Sequence, residues 1–179
     1  MLLKYSLFLL IHLNLFLSCS YAQDQLSKEQ RNKDLKILLI SDLNDSYGSV
    51  TYSNEVHDII IKIKTIKPDI VLCGGDMVAG QKKSLTALQL DNMWNGFQST
   101  VLDPLYKLGV PFGFTLGNHD ASPNYTNDRD AASKFWLQNK EKLNLTFVDD
   151  RHFPYYFSYI KNNIFFISWD ASSAVIPDK

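Results

Sequence analysis

"FGFTLGNHDAS" (Phe112–Ser122) decides how this chain is read. An apolar, strand-like run stops at Gly117, and Asn118, His119 and Asp120 follow with no apolar residue between them. An amide oxygen, an imidazole and a carboxylate side by side at the end of a buried strand can bind a cation or move a proton. Working outward, two earlier stretches repeat the pattern. "KILLIS" (Lys36–Ser41) is a continuous apolar run of strand length, as expected of a strand covered on both faces, and it runs into Asp42, Asn44 and Asp45. "DIVLC" (Asp69–Cys73) is the next such run, and Gly74, Gly75 and Asp76 end it.

Helical signals separate these strands. Ser53 stands where an N-cap belongs, and Val56, Ile59, Ile60, Ile63 and Ile66 share one helical face before Pro68 closes the segment. A longer helical stretch places Leu90, Met93, Trp94, Phe97 and Val101 on one stripe, with Pro104 set to kink or split it and Gly109 to stop it. Two βαβ crossovers in succession imply a parallel sheet covered by helices. In open parallel sheets ligands gather at the carboxyl ends of the strands, where all three polar clusters fall. Taken singly, Asp42 and Asp76 read as turn formers, Asn118 as a left-handed turn residue and His119 as a surface histidine. Carboxylates packed together repel one another unless a cation lies between them, so the repetition points to a shared metal site.

"SDLND", "GGDMV" and "GNHD" resemble, at similar spacing, the first three motifs of the calcineurin-like metallophosphoesterases: D-x-H, G-D-x-x and G-N-H-[DE]. The resemblance spans Lys36 to about Asp170. It implies an α/β fold, the metallophosphoesterase-like αββα sandwich, and a hydrolase of phosphate esters using two divalent metal ions. Oxygen-rich ligands with some imidazole suit Mn, Fe or Zn. By resemblance Asp42 is a first-metal ligand, Asp76 bridges the two metals, and Asn118 is a second-metal ligand through its side-chain oxygen. His119 is then the catalytic histidine that approaches the phosphate, and Asp120 the partner that orients it. The glycines before Asp76 are expected to let the backbone approach the ions.

The chain departs from that pattern twice. Asn44 stands where the family has histidine, so it is a candidate metal ligand with a turn or supporting role as the alternative. The family's late G-H-x-H motif has no counterpart before Lys179, and beyond His119 there is only His152, read as a surface or interface residue, as is His57. The expectation is a domain over residues 36–179 that is incomplete at its C-terminus, a weak metal binder and a poor catalyst by itself. The rival reading is a non-catalytic, phosphoesterase-like exported binding module.

Other features carry less. The 179 residues, 45% of them hydrophobic, suffice for one domain with a core. A formal charge of -1 gives no specific signal for nucleic acid. Gly75 and Gly80 have the glycine spacing of a P-loop, but Gln81 stands where its lysine belongs. Residues 1–22 read as a signal peptide: Lys4, an apolar run from Tyr5 to Leu17 short of a membrane span of about 20 residues, and small Ser20 and Ala22 before Gln23. A retained anchor is the alternative. "LFLSC" is a loose lipobox, which makes Cys19 a candidate for lipid attachment to a membrane. The expected locations are periplasmic, extracellular or membrane-anchored. Residues 23–35 form a polar leader. Cys73 reads as a buried small hydrophobe, and Trp94, Phe97, Phe135 and Trp136 as core. Asn124 and Asn144 head N-x-T sequons. "YYFSYIKNNIFFISWD" reads as a hairpin turning at Lys161–Asn163, with Asp170 at its end unassigned to the site. The expected partner is a phosphate-ester substrate, small molecule or polymer.

Overall fold

A computed structural model describes residues 34–172. The segment expected to be a signal peptide, Cys19 and nearly all of the expected polar leader lie outside the described residues. The compact unit begins at Leu35.

Its first half is the predicted βαβαβ run. Strands β1 (Ile37–Ile40), β2 (Ile70–Cys73) and β3 (Phe112–Phe114) form a parallel sheet in that order. The register pairs Ile40 with Cys73 and Cys73 with Phe114, so all three strands end at one level. Helix α1 (Asn54–Ile66) joins β1 to β2 and buries Val56, Ile60 and Ile63. Ser53 occupies its N-cap position without a side-chain capping bond, and Lys67 ends it in the left-handed conformation just before Pro68. Between β2 and β3 the long helical stretch is divided. α2 (Ala87–Phe97) starts at a capping box of Thr86 and Gln89, passes into a π-helical turn (Gln98–Leu102), and gives way to α3 (Asp103–Lys107). Pro104 sits in the first turn of α3, directly after the π-helical turn.

Helix α4 (Thr126–Asn139) follows β3 and lies against α2. The two helices and the sheet enclose an aromatic core. Trp136 stacks on Phe114 with ring centroids 3.9 Å apart, Trp94 stacks on Phe135 at 4.7 Å, and Phe97 approaches Phe112 at 5.9 Å. All six rings are buried, as the sequence predicts for the four helical ones.

A second sheet is antiparallel: β4 (Thr146–His152), β5 (Tyr156–Lys161) and β6 (Ile164–Trp169). The β5–β6 hairpin turns where predicted, with Asn162 and Asn163 both at positive φ as a tight two-residue hairpin turn requires. Strand β4 has no sequence counterpart. Its ladder with β5 slips between Phe147 and Asp149 and again before His152, which breaks the alternation that marks a strand. His152 lies exposed in β4, opposite Tyr156, far along the chain from the polar strand ends. Sheet two meets the first at β3: Ser168 Oγ donates to Phe114 O at 2.7 Å, and Tyr159 Oη sits so close over Gly113 that a Cβ there would lie 2.0 Å from it.

One expectation needs correction. β1 is not covered on both faces. It is an edge strand with Leu39 71% exposed, because Leu38 and Ile40 alone turn toward the core.

Candidate metal centre at the strand ends

Shortly past their strands, the chains of β1 and β2 bend through conformations that favour glycine. Asp42 and Asp76 both have positive φ, 53° and 52°. A non-glycine residue held there costs of order 1 kcal/mol or more, and it persists only where its surroundings fix it. The surroundings are backbone bonds between the strand ends. Asp42 N donates to Gly75 O, while Leu43 N and Asn44 N both donate to Asp76 O at 2.9 and 3.3 Å. The loop after β1 is thereby tied to Asp76.

The other side of Asp76 meets the end of β3. Its Oδ1 accepts the His119 N–H at 3.0 Å, and a Cβ on Gly117 would lie 2.1 Å from that same oxygen. A Cβ on Gly75 would come within 2.7 Å of Gly117 N. The role expected for the glycines before Asp76 therefore shifts. Gly75 lets two strand ends touch, which brings "SDLND", "GGD" and "GNHD" into one small volume.

Asp120 is placed differently from its expected role. Its Oδ1 accepts from Met77 N and Val78 N at 2.7 and 2.9 Å, and its Oδ2 accepts from Gly117 N at 2.9 Å. The residue is 1% exposed. Burial pushes its carboxyl up to about 7, with the N–H of Gly117 and then that of Val78 pulling it back and the Asp76 charge adding to the rise. Both oxygens are spent on backbone, so Asp120 clamps the loop after β2 to the end of β3 and has no hydrogen bond to His119. His119 has its ring stacked on Tyr47, centroids 5.3 Å apart, and its Nδ1 is buried without a partner.

The two asparagines share a useful arrangement. Asn44 Nδ2 donates to Val78 O at 3.0 Å, and Asn118 Nδ2 donates to Gln81 Oε1 at 3.0 Å. With the NH2 groups so engaged, the side-chain oxygens are the atoms left to face a ligand. Asp42 is exposed and Asp76 half-buried, so their carboxylates can be reached from solvent. This donor set of two carboxylates and two amide oxygens fits hard or borderline divalent cations. It contains no imidazole, and among the described residues no three His, Cys, Asp or Glu side chains gather as a cation site.

Three residues outside the motifs support the cluster. Tyr52 donates to Met77 O at 2.8 Å, and burial raises its phenol well above the ordinary value, the Asp120 charge adding to it. Gln81, at a φ of 64°, carries the oxygen that holds Asn118. Asp128, in the first turn of α4, accepts the Gln81 N–H at 2.8 Å. No motif pattern marks these three. Asp170 is bonded to residues other than the motif side chains. It is fully buried, paired with Arg129 at 2.9 Å, and accepts from Ser172. Cys73 is buried as expected, and burial pushes its thiol far up.

Among curated proteins no significant match was found. The family model described as calcineurin-like phosphoesterase matches residues 35–172, from the start of the compact unit to the end of the second sheet. The chain therefore belongs to the calcineurin-like phosphoesterase family.

Proposed function

We propose that the chain hydrolyses phosphate esters with two divalent cations, Mn, Fe or Zn, held by Asp42, Asn44, Asp76 and Asn118. The observation that carries this reading is the direct bonding of three strand ends around Asp76, which joins the β1 loop through its carbonyl and His119 through its carboxylate. Bound there, the cations would supply positive charge for the phosphate and acidity for an attacking water. The protein's own part is positioning. Asp76 and Asp42 offer carboxylates from strained turns that the backbone bonds hold fixed. The NH2 contacts of Asn44 and Asn118 leave their side-chain oxygens free to accept a cation. His119 Nε2 then faces the phosphate, to stabilise developing charge or to protonate the leaving alkoxide. Tyr47 keeps the ring plane by stacking on it.

Export under the N-terminal signal, with a membrane tether through Cys19 as the lipidated form, completes the proposal. Mass spectrometry of the mature N-terminus checks it: a start at Gln23 or a lipidated Cys19 supports export, and an intact Met1 on cytoplasmic protein refutes it.

The absence of three convergent His, Cys, Asp or Glu side chains among the described residues favours a second reading, a phosphate-binding module without turnover. Hydrolysis of a nitrophenyl phosphate monoester and diester by the Mn-loaded chain separates the two. Turnover that a chelator abolishes and that falls in His119→Asn without loss of metal supports the enzyme. Metal uptake with no turnover in wild type supports the module.

A further inference from the structure

Among the described residues the exposed aromatic side chains are Tyr47, Tyr106, Phe165 and Trp169. The last three belong to α3 and β6. Tyr47 instead sits on the loop after β1 that carries Asp42 and Asn44, and its ring stacks on His119, with centroids 5.3 Å apart and planes 26° from parallel. Its hydroxyl bonds no described residue, so the ring is the part of it that the site uses.

The backbone under that ring is fixed. Ser49 N donates to Ser46 O at 2.9 Å, closing a turn around Tyr47 and Gly48, and Gly48 N donates to Ala79 O at 2.9 Å. Gly48 has a φ of 82°, and a Cβ on it would lie 3.0 Å from the side chain of buried Leu85, so the turn requires glycine at this wedge. The ring is therefore in place before any ligand arrives, and binding pays little to order it.

Stacking on His119 uses one face of the Tyr47 ring, and a residue 54% exposed keeps the other face open to solvent. An oxygen that His119 protonates lies within about 3 Å of Nε2. Whatever that oxygen carries then reaches Tyr47, whose centroid is 5.3 Å from that of the imidazole. An alkyl chain would pass the ring with few contacts. A flat aromatic group would lie against the open face, as aromatic pairs do at centroid separations of about 4.5–7 Å.

We propose that Tyr47 selects the leaving group: with His119 it forms an aromatic lip that favours phosphate esters whose ester oxygen bears a flat aromatic ring. The inference deepens the phosphoesterase reading and rests on it, because the lip meets a substrate only where phosphate binds beside His119.

Its test is calorimetric binding of two non-hydrolysable phosphonates to the Mn-loaded 179-residue chain. Benzylphosphonate has a CH2 where an aryl phosphate has its ester oxygen, and ethylphosphonate has the same CH2 without the ring. The quantity read is the ratio of the two dissociation constants. Any effect of a Tyr47 variant on His119 or on the cations acts on both ligands and cancels in that ratio. In wild type benzylphosphonate is expected to bind tighter by about 2- to 10-fold, the range that aromatic pairs supply. Tyr47→Phe should keep the preference, since the ring remains and the hydroxyl is unused. Tyr47→Ala should lose it, and the exposed position lets both variants fold. Equal affinity for the two ligands in wild type, or a preference unchanged in Tyr47→Ala, overturns the proposal and leaves the phosphate reading standing. Failure of both phosphonates to bind wild type overturns the two together. A preference lost in Tyr47→Ala, in a chain that hydrolyses no phosphate ester, upholds the lip and overturns the enzymatic reading instead.

Discussion

At the scale of single residues, burial separates the carboxylates by role. Asp42 and Asp76 remain reachable, whereas Asp120 and Asp170 are sealed in and spend their oxygens on protein donors. Asp120→Ala would strand the N–H groups of Met77, Val78 and Gly117, so a loss of at least about 3 kcal/mol is expected in urea denaturation. Asp120→Asn should lose less, since one oxygen still accepts. For Asp170 the decisive partner is Arg129, whose guanidinium also lies 4.3 Å over the Tyr155 ring. Arg129→Met leaves a buried, unpaired charge and should cost about 3–5 kcal/mol by the same measurement. A cost under 1 kcal/mol would mean that water reaches Asp170. The convergence of the strand ends was legible because polar residue types recur at all three. The true duty of Asp120 was not, since a carboxylate bonded to backbone N–H groups looks in sequence like one bonded to histidine. Asp128 and Gln81 were illegible for a related reason: they act through tertiary contacts that span 47 and 37 residues of sequence, and no spacing rule encodes those.

Among the elements, contact between the ends of β2 and β3 does most to build the site, and glycine permits it. A side chain at Gly117 would strike both the carboxylate and the backbone of Asp76, whereas one at Gly109 meets nothing within 4 Å. Gly109→Ala should cost about 1 kcal/mol, from its positive φ alone. Gly117→Ala should cost more, about 1–3 kcal/mol from overpacking, and should also weaken Mn binding. Equal stability loss and equal Mn affinity in the two variants would remove the glycine argument. Helices and buried strands were readable because their apolar residues recur with the helical period or run unbroken. Two features escaped. The run Ile37–Ile40 is apolar at every position, which looks the same for an edge strand as for a central one, and β4 hides its alternation behind ladder slips and the polar sequence "DDRH".

For the molecule as a whole, the core protects several titrating groups, and this sets its response to base. Burial raises Cys73, Tyr52 and Tyr159, the last to about 12. Groups raised in the folded state stabilise it below their unfolded values and withdraw that support as pH climbs past them. Stability should therefore hold to about pH 9 and decline above it, as thermal melts across pH 7 to 11 would show, and a rise over that span would contradict the burial. The same molecule leaves apolar surface uncovered on its outer strands: Leu39 on β1 and Phe165, Ile167 and Trp169 on β6. Exposed apolar edges promote association. Ile167→Lys should raise the soluble yield while moving the thermal midpoint by no more than about 2 °C, and an unchanged yield would acquit this face. The central claim concerns the opposite kind of surface, the polar strand ends that the fold draws around Asp76. Its most direct test is calorimetric titration of the chelator-treated chain with Mn2+, wild type beside Asp76→Asn. The account predicts saturable binding in wild type and affinity lower by about tenfold or more once the shared carboxylate is lost. Superimposable isotherms for the two proteins would contradict it.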